Sequence, residues 1–268
     1  MPLRSHRALI TGAGHGLGKA IALKLARAGA TVIIADRDAE RVAATVAELQ
    51  AGKFSACGYV LDVTSVEQIT AVHDKIRTEQ GPISILVNNA GVVFGGEFLG
   101  VPIDRHLATV SVNLTGLLAV THTFLPDLIG SPQGFLVNIA SAAAVVPLPL
   151  ATSYAASKSA VLAFSESLRE ELRLQGRRHV HIATICPSYI STGLFDGAKP
   201  AWLTWMLSAD DVADAVLGAI LRRRKTVFLP WTVSLLHTLA RVLPAALYRG
   251  LCRALGVSTS MQHWRGHA

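Results

Sequence analysis

The sequence predicts an α/β fold built on a doubly wound parallel sheet, and three observations support this prediction. Short apolar, β-branched runs alternate with longer segments of helical periodicity, an order that implies right-handed crossovers between parallel strands. The first run leads directly into a glycine-rich turn and a helix. With 268 residues, of which 51% are hydrophobic and 16% charged, the chain can bury the large core that such a sheet requires.

Six runs are predicted strands, at residues 8–10, 31–35, 55–61, 83–87, 134–139 and 179–185. Helical segments between them, such as residues 18–28 and 39–50, predict a sheet covered on both faces. Ser208 is the expected cap of a later helix that ends in the basic run 222–225, before a strand at 226–229. No linker, repeat or low-complexity tract interrupts the pattern up to about Leu207, so residues 1–230 are predicted to form one domain.

The turn after the first strand, residues 11–18, reads Thr-Gly-Ala-Gly-His-Gly-Leu-Gly. Glycines let the backbone turn tightly and approach a phosphate, while the N-terminus of the following helix attracts the anion. The turn between strand and helix therefore predicts a dinucleotide cofactor. Its candidate binding residues are Gly12, Gly14, His15, Gly16, Leu17 and Gly18.

The second strand ends at Asp36, at the distance expected for a carboxylate that accepts hydrogen bonds from a ribose diol. Its charge would repel a 2′-phosphate, which favours NAD(H) over NADP(H). Arg37 and His15 favour the opposite, because either side chain could pair with a phosphate, although both also suit a solvated turn. NAD is the predicted cofactor, with NADP as the less favoured alternative.

Two further turns follow the third and fourth strands, where open α/β sheets bind ligands. Asp62 and Val63 are candidates to read the adenine, while Asp62 could equally cap a helix that begins near Val66. Residues 88–91, Asn-Asn-Ala-Gly, form a polar turn suited to packing against the adenosine ribose, with Asn89, Ala90 and Gly91 as binding candidates.

Tyr154 and Lys158 are four residues apart, so a helix would bring a phenol and an ammonium together on one face. The cation is expected to lower the pKa of the phenol, which makes Tyr154 a candidate general acid/base. Ser141 follows a predicted buried strand and could project its hydroxyl towards the same place. Taken alone, the pair could equally be a solvated helix face.

Together these residues resemble the short-chain dehydrogenases/reductases, which have a Rossmann fold. The matching features are TGxxxGxG at 11–18, NNAG at 88–91, Asn113, Ser141 and the YxxxK pair Tyr154/Lys158, over about residues 7–192. The resemblance implies that Tyr154 exchanges the proton and Ser141 holds the substrate oxygen. It also implies that Lys158 binds the nicotinamide ribose and that Asn113 holds a water linking Lys158 to solvent. From its sequence context alone, Asn113 would be a helix-bending amide.

One position departs from the family pattern, because Ser188 stands where Pro187 is usually followed by glycine. By resemblance, Pro187 belongs to the cofactor site, Ile190 packs near the nicotinamide and Thr192 binds its carboxamide. A serine restricts the backbone there, so the substrate mouth is expected to differ in shape.

Residues 231–268 form a predicted amphipathic tail, in which Pro244 separates two short helices. Arginines flank a face rich in leucine, which suits the surface of an anionic membrane; the alternative is packing against its own domain or a partner subunit. Leu229-Pro230-Trp231 and residues 256–266 resemble the retinol and 17-beta-hydroxysteroid dehydrogenase branch. That resemblance implies a lipophilic alcohol or carbonyl substrate, entering over a lid at 195–207.

Three tryptophan or methionine side chains in this lid could line the pocket or pack on the core, namely Trp202, Trp205 and Met206. The resemblance also suggests a homodimer or homotetramer, formed through the helices around Asn113 and Tyr154.

Several classes of protein and site are not expected. The three cysteines lie far apart, which argues against disulfides and thiolate metal sites. Histidines pair at 179/181 and 263/267 without a third ligand, so no metal is predicted. A net charge of +7 and a pI near 9.7 fit anionic lipid; no nucleic-acid motif accompanies them, and no nucleic-acid partner is expected. The N-terminus has neither signal-peptide pattern nor apolar span, so a cytoplasmic location, or one on the cytoplasmic face of a membrane, is expected.

The predicted function is hydride transfer between NAD(H) and a lipophilic alcohol or its carbonyl, such as a retinoid or steroid. One alternative is an NADPH-dependent carbonyl reductase of biosynthetic type. Another is a non-catalytic dinucleotide-binding or membrane-scaffold protein, against which the intact set of Ser141, Tyr154 and Lys158 argues.

Overall fold

A computed structural model describes residues 3–202 and 204–265. Three parts of the predictions lie outside these residues: the end of the tail at 266–268, His267 of the second histidine pair, and Leu203 of the predicted lid.

Seven parallel strands form a single sheet, which confirms the predicted fold class. Their spatial order is β3-β2-β1-β4-β5-β6-β7. Each strand agrees with its predicted range to within two residues at either end. In chain order the strands are β1 Arg7–Thr11, β2 Thr31–Asp36, β3 Ala56–Val60, β4 Ile85–Asn88, β5 Gly134–Ile139, β6 Val180–Pro187 and β7 Thr226–Leu229.

Helices cover both faces of the sheet. One face carries α1 Gly16–Arg27, α2 Ala39–Ala51 and α7 Ala209–Arg222. The other carries α3 Val66–Glu79, α4 Ile103–Val110, α5 Leu117–Gly130 and α6 Thr152–Leu174. A π-helical turn, Ser111–Gly116, joins α4 to α5, and a 3-10 turn, Ala142–Ala144, follows β5.

The strand order reverses between β1 and β4, which lie side by side although five elements separate them in the chain. Ligands of open α/β sheets bind outside the carboxyl ends of the strands at such a point. The glycine-rich turn follows β1 and the Asn-Asn-Ala-Gly turn follows β4. The topology therefore brings both predicted cofactor turns to one crevice.

A buried row of polar side chains connects the sheet to the two helices beside this crevice. Asn88 Nδ2 donates to Thr121 Oγ1 of α5 at 2.8 Å and to Asn138 Oδ1 of β5 at 2.9 Å. Asn138 Nδ2 in turn donates to Ser165 Oγ of α6 at 2.9 Å. Because buried polar groups need partners, this row fixes the position of α6 against the strand ends.

Side-chain caps start the helices at the edges of the sheet. Ser208 and Asp211 form a capping box at the start of α7, as predicted. The proposed cap of α3 was wrong, because Ser65 accepts the Gln68 N–H in place of Asp62. Asp62 lies three residues too early and instead accepts hydrogen bonds from the N–H and hydroxyl of Thr64.

The tail forms the two predicted short helices, α8 Trp231–Val242 and α9 Ala245–Ala254, with Pro244 between them. Their inner sides pack on Val146, in the loop after β5. The buried members of this cluster are Val146, Leu236, Tyr248, Cys252, Leu255 and Val257.

By length and composition alone, one described stretch could span a membrane, Ile103–Gly130. It comprises α4, the π-helical turn and α5. Val120, Phe124 and Leu128 of this stretch are fully buried in the core beneath the sheet, so here it is a core helix of the domain.

Candidate active site

Three predicted catalytic side chains meet at the carboxyl end of β5. Ser141 lies two residues beyond the strand, while Tyr154 and Lys158 are one turn apart near the start of α6. Their exposed fractions are 6%, 5% and 4%, respectively. The pair is therefore not the solvated helix face that its spacing alone allowed.

Ser141 is held by the turn that it begins. Its Oγ accepts the Ala143 N–H at 3.1 Å and lies 3.5 Å from the Pro187 carbonyl oxygen, to which it donates. Ser141 lies near enough to the Tyr154 hydroxyl to lower the pKa of the tyrosine, against the larger effect of burial. The two hydroxyl groups thus face one another, in the arrangement needed to hold one substrate oxygen.

The predicted lowering of the Tyr154 pKa is wrong for this structure, because burial raises the pKa of Tyr154 to about 12. The Lys158 Nζ lies 5.8 Å from the centroid of the tyrosine ring and donates to the Ile139 carbonyl oxygen at 2.9 Å. Burial removes both groups from water and disfavours the tyrosinate and the ammonium. This cost is larger than the attraction between the two charges at their distance. Burial likewise lowers the pKa of Lys158 to about 8.

Asn113 lies fully buried in the π-helical turn and joins it to the loop after β4. Its Oδ1 accepts the Val92 N–H at 2.8 Å, and its Nδ2 donates to the Val92 carbonyl at 2.9 Å and to Ser157 Oγ at 3.1 Å. A Cβ on Gly91 would lie 3.2 Å from Asn113 Oδ1 and 3.5 Å from Lys158 Nζ. Three predicted site residues, Asn113, Lys158 and Gly91, therefore form one cluster.

The glycine-rich turn packs directly against the turn after β4. Gly12 has a φ of +63°, and a Cβ there would lie 2.9 Å from the Ala90 Cα. Asn89 Nδ2 donates to the carbonyl oxygens of Thr11 and Gly12 at 2.9 and 3.0 Å. Asn89 thus supports the turn through its side chain, a role that the sequence did not reveal.

The start of α1 has the features that a pyrophosphate group requires. Within the described residues, no side chain caps this helix, whose N-cap is His15, and its first turn carries no acidic residue. Its free N–H groups lie beside the glycine turn, and Thr192, from the loop after β6, would lie 3.4 Å from a Cβ on Gly16. The residues present therefore fit a dinucleotide cofactor.

Asp36 lies at the end of β2 with its carboxylate turned towards the glycine turn. Oδ2 accepts the Gly14 N–H at 3.0 Å and Oδ1 accepts the Asp38 N–H at 3.2 Å. Each oxygen keeps a further lone pair for a ribose hydroxyl. The predicted position beside the turn is thus found, whereas Arg37 points outward into solvent.

Arg41 belongs to this region, although the sequence did not single it out. Its Nη1 lies 3.4 Å from His15 Nδ1, and its Nε pairs with Asp38 Oδ2 at 3.1 Å. A Cβ on Gly14 would lie 2.7 Å from the Arg41 Cβ. Its position in the first turn of α2, directly after the acidic strand end, is the signal that could have identified it.

The loop after β6 brings the remaining predicted residues to the same edge. Pro187 ends the strand, and Ser188 Oγ accepts the Tyr189 N–H at 2.6 Å, so the serine supports the turn in place of a glycine. Ile190 is buried and pairs with Leu207 in a short parallel bridge. Val63 and Leu17 are buried and half-buried, respectively.

An apolar cavity begins at Ser141 and extends away from the sheet. Tyr189 and Phe195 line it from the loop after β6; the sequence named Phe195 only as the start of a lid and did not name Tyr189. The predicted roles of three other lid residues were wrong, since Trp202, Trp205 and Met206 are 75%, 50% and 39% exposed. They neither line this cavity nor pack on the core.

Comparison with known proteins decides the family. A sequence model described as short chain dehydrogenase matches residues 6–201, well over half of the chain. The chain belongs to the short-chain dehydrogenase family.

Two relatives indicate the branch of the family that this short-chain dehydrogenase resembles. It is 30% identical over 249 residues to estradiol 17-beta-dehydrogenase 11 of Mus musculus, covering 93% of this chain and 83% of the relative. It is 34% identical over 239 residues to epidermal retinol dehydrogenase 2 of Mus musculus, covering 88% and 77%. The predicted likeness to the retinol and 17-beta-hydroxysteroid dehydrogenase branch is confirmed.

Solved structures agree with the fold. A short-chain dehydrogenase/reductase from Burkholderia phymatum in complex with NAD has a TM-score of 0.81 at 29% identity, covering 90% of this chain and 96% of that one. A gluconate 5-dehydrogenase from Burkholderia cenocepacia in complex with NADP and tartrate has a TM-score of 0.78 at 27% identity, covering 87% and 96%. This short-chain dehydrogenase is an NAD(P)-dependent oxidoreductase that acts on CH–OH groups.

Proposed function

We propose that the protein transfers a hydride between NAD(H) and a lipophilic alcohol or its carbonyl, of the retinoid or steroid kind. The observation that carries this proposal is the cavity that begins at the Ser141 hydroxyl and whose walls are mostly apolar. Such a pocket orients an alcohol by its oxygen and accepts its hydrocarbon part without unpaired polar groups. The names of the estradiol and retinol relatives support the same substrate class.

Two hydroxyl groups, those of Ser141 and Tyr154, act on the oxygen and the proton of the alcohol. Ser141 donates a hydrogen bond to the substrate oxygen, and Tyr154 takes the proton of the alcohol or returns it to the carbonyl oxygen. The nicotinamide, when bound, supplies the hydride acceptor or donor. Because both hydroxyls are preorganised in a buried site, they stabilise the charge that develops on the substrate oxygen.

Lys158 and Asn113 would support proton transfer by Tyr154. Lys158, held by the Ile139 carbonyl, would bind the nicotinamide ribose, and its charge would assist loss of the phenol proton in the loaded site. Asn113 keeps the loop after β4 in place and would hold a water that links Lys158 to solvent.

The remaining predicted residues would hold the cofactor along the crevice. Asp36 would accept the hydroxyls of the adenosine ribose, which favours NAD(H), while the free N–H groups of α1 would bind the pyrophosphate. The adenine would lie near Asp62 and Val63. Residues proposed for the two riboses and the nicotinamide are Asn89, Ala90, Gly91, Pro187, Ile190 and Thr192.

Nicotinamide absorbance during turnover tests this function. NAD and NADP are compared side by side with retinol, hydroxysteroids and medium-chain alcohols. Turnover of a retinoid or steroid with NAD supports the proposal. Activity only with NADPH and small polar ketones would favour a biosynthetic carbonyl reductase, and cofactor binding without any turnover would favour a scaffold.

Replacement of Lys158 by methionine is expected to stabilise the protein while reducing turnover. Burial lowers the lysine pKa from 10.5 to about 8, so folding is penalised fully below pH 8 and not above the unfolded pKa of 10.5. At pH 7, loss of this penalty outweighs the lost hydrogen bond to Ile139, by about 1–3 kcal/mol. Urea unfolding of both proteins at pH 7 and pH 10 should show the difference shrinking as pH rises. A methionine variant that is less stable at pH 7 would contradict the prediction.

We also propose that the C-terminal extension, residues 231–268, contacts an anionic membrane from the cytoplasmic side. Trp231 is 69% exposed at the start of α8, and Trp202 is 75% exposed in a loop that hydrogen-bonds the tail at Leu255. Arg241 on α8 and Arg249 on α9 are exposed as well. Aromatic side chains beside arginines suit the interface of an anionic bilayer.

The double variant Trp231→Ser/Trp202→Ser is expected to release the protein from phosphatidylserine vesicles, because it removes the two most exposed tryptophan side chains. Co-sedimentation with vesicles measures the bound fraction. Leu174→Ser is the control, since Leu174 is 76% exposed at the end of α6. Full-length protein that never binds these vesicles would contradict the membrane proposal.

A homodimer or homotetramer is proposed through the side of the molecule that carries α4. Exposed apolar side chains lie there, namely Phe98, Leu99, Ile103, Leu107 and Leu118. A second copy would cover them, which hydrophobic burial favours. Light scattering should give a mass of two or four times the 28.4 kDa of one chain. A monomeric mass at micromolar concentration would refute this assembly.

A further inference from the structure

The tail supplies one wall of the cavity that begins at Ser141. Val233 and Leu236 of α8 line it, together with Val257 and Ser260 beyond α9. Val233 and Leu236 are 2% and 7% exposed, although the helix that carries them lies on the surface. The tail is therefore part of the candidate substrate site and not only an appendage.

A row of three aromatic rings runs from this wall to the candidate general acid/base. Tyr189 meets Phe195 with ring centroids 5.4 Å apart and planes at 81°. Phe195 meets Tyr154 at 5.7 Å and 77°. Edge-to-face packing of this kind is a favourable and directional arrangement, so the position of Tyr189 constrains that of the Tyr154 ring.

A hydroxyl pair fixes the outer end of this row. The Tyr189 hydroxyl donates to Ser260 Oγ at 2.7 Å, and Ser260 Oγ donates to the Val257 carbonyl oxygen at 2.7 Å. Ser260 is 3% exposed. Removal of the Ser260 hydroxyl would leave the Tyr189 hydroxyl without this acceptor beside the cavity, which is costly for a buried group, whereas Ser260 without Tyr189 keeps its bond to Val257.

Three further contacts hold the end of the tail on the loop after β6. The Lys199 N–H donates to the Ser260 carbonyl at 2.8 Å, and Trp264 Nε1 donates to the Leu194 carbonyl at 3.1 Å. The Arg265 N–H donates to the Asp196 carbonyl at 2.6 Å. These bonds lie on both sides of Phe195, so the tail and the cavity loop form one unit.

We propose roles for two residues of the tail: Leu236 sets the room available to the hydrocarbon part of the substrate, and Ser260 is a positioning residue that holds Tyr189 and the aromatic row. The proposal rests on the proposed function, since it assumes a lipophilic alcohol bound at Ser141. The selected property is the length and width of the substrate beyond its reacting carbon.

Opposite changes in size at Leu236 test the wall. Leu236→Trp is expected to lower kcat/KM for a bulky secondary alcohol by about tenfold or more and to change that for propan-2-ol by less than about threefold, as expected for a filled apolar pocket. Leu236→Ala should move the ratio of the two values in the other direction. Ser234→Trp and Ser234→Ala are matched controls, because Ser234 lies on the same helix and is exposed. Equal loss with both alcohols, or the same shifts at Ser234, would overturn the proposal.

A double-mutant cycle tests the positioning role. Ser260→Ala and Tyr189→Phe are each expected to raise KM for the bulky alcohol by about 3–10-fold. Because both changes remove the same hydrogen bond, KM of the double variant should be no higher than the higher of the two single-variant values. Ser260→Thr keeps the hydroxyl and should restore KM. Thr259→Ala is the control, because that hydroxyl donates to the Gly256 carbonyl oxygen within the tail. Additive effects, or an unchanged KM in both single variants, would reject the role.

Binding without turnover separates this inference from the proposed function. A fluorescent long-chain alcohol is titrated into wild type and the Leu236 and Ser234 variants in the presence of NAD. If no alcohol is oxidised but probe affinity changes at Leu236 alone, the proposed function fails and the cavity wall stands. Equal probe affinity in all five proteins would overturn the inference.

Discussion

Tyr154→Phe is expected to reduce kcat by about 10²–10⁴-fold, the contribution typical of a positioned general acid/base. The change removes the hydroxyl that lies near Ser141 and keeps the ring that packs on Phe195. Because the amine of Lys158 stays in place, the Kd of the cofactor should change by no more than a few-fold. Nicotinamide absorbance measures turnover, and calorimetric titration measures cofactor binding.

Tyr59→Phe is the matched control for this experiment. Tyr59 is also a buried tyrosine, but its hydroxyl donates to Glu79 Oε2 at 2.8 Å at the far edge of the sheet. That variant should retain turnover. If Tyr154→Phe also retains it, Tyr154 is not the general acid/base and the mechanism has to be abandoned.

Asp36→Ala is expected to raise the ratio of kcat/KM for NADP to that for NAD by about 10–100-fold. Loss of the carboxylate removes two acceptors for the ribose hydroxyls of NAD and a like charge beside a 2′-phosphate, effects worth about 1–3 kcal/mol together. His15 and Arg41 then remain beside the glycine turn as partners for the phosphate. Steady-state kinetics with each cofactor at a fixed alcohol concentration gives the ratio.

Asp74→Ala controls for loss of a carboxylate elsewhere on the protein, because Asp74 lies on α3 with a side chain that is 74% exposed. Its NAD preference should persist. Arg41→Ala introduced into Asp36→Ala should reverse part of the gain with NADP. An unchanged cofactor ratio in Asp36→Ala would remove Asp36 from the ribose site.

The sequence predicted those features that depend on local pattern. Alternating apolar runs gave the strands, because burial on both faces demands continuous β-branched residues. The glycine turn, Asp36 and the pair Tyr154/Lys158 were found because backbone geometry and helical spacing leave a signature within a few residues. Parallel topology then brought them together without any knowledge of side-chain contacts.

Features that depend on distant contacts were not predicted. The pKa of Tyr154 was expected to fall because charge spacing is visible in a sequence, whereas its complete burial is not. Likewise, Tyr189 and Ser260 are 71 residues apart in the chain, and no periodicity connects them. Trp202 and Trp205 illustrate the reverse error, since large aromatic side chains were expected to pack inward and instead lie on the surface.

Asn113 shows how a single amide can restrict sequence change. Its oxygen accepts from Val92, and both amide protons are used, towards Val92 and Ser157. Aspartate would supply no proton, glutamine is longer by one methylene, and serine is too short to make all three bonds. Substitution of Asn113 is therefore restricted by the three hydrogen bonds that the fold requires at this position. A descendant that lost Tyr154, and with it catalysis, would still be under selection to keep this asparagine for as long as it kept its shape.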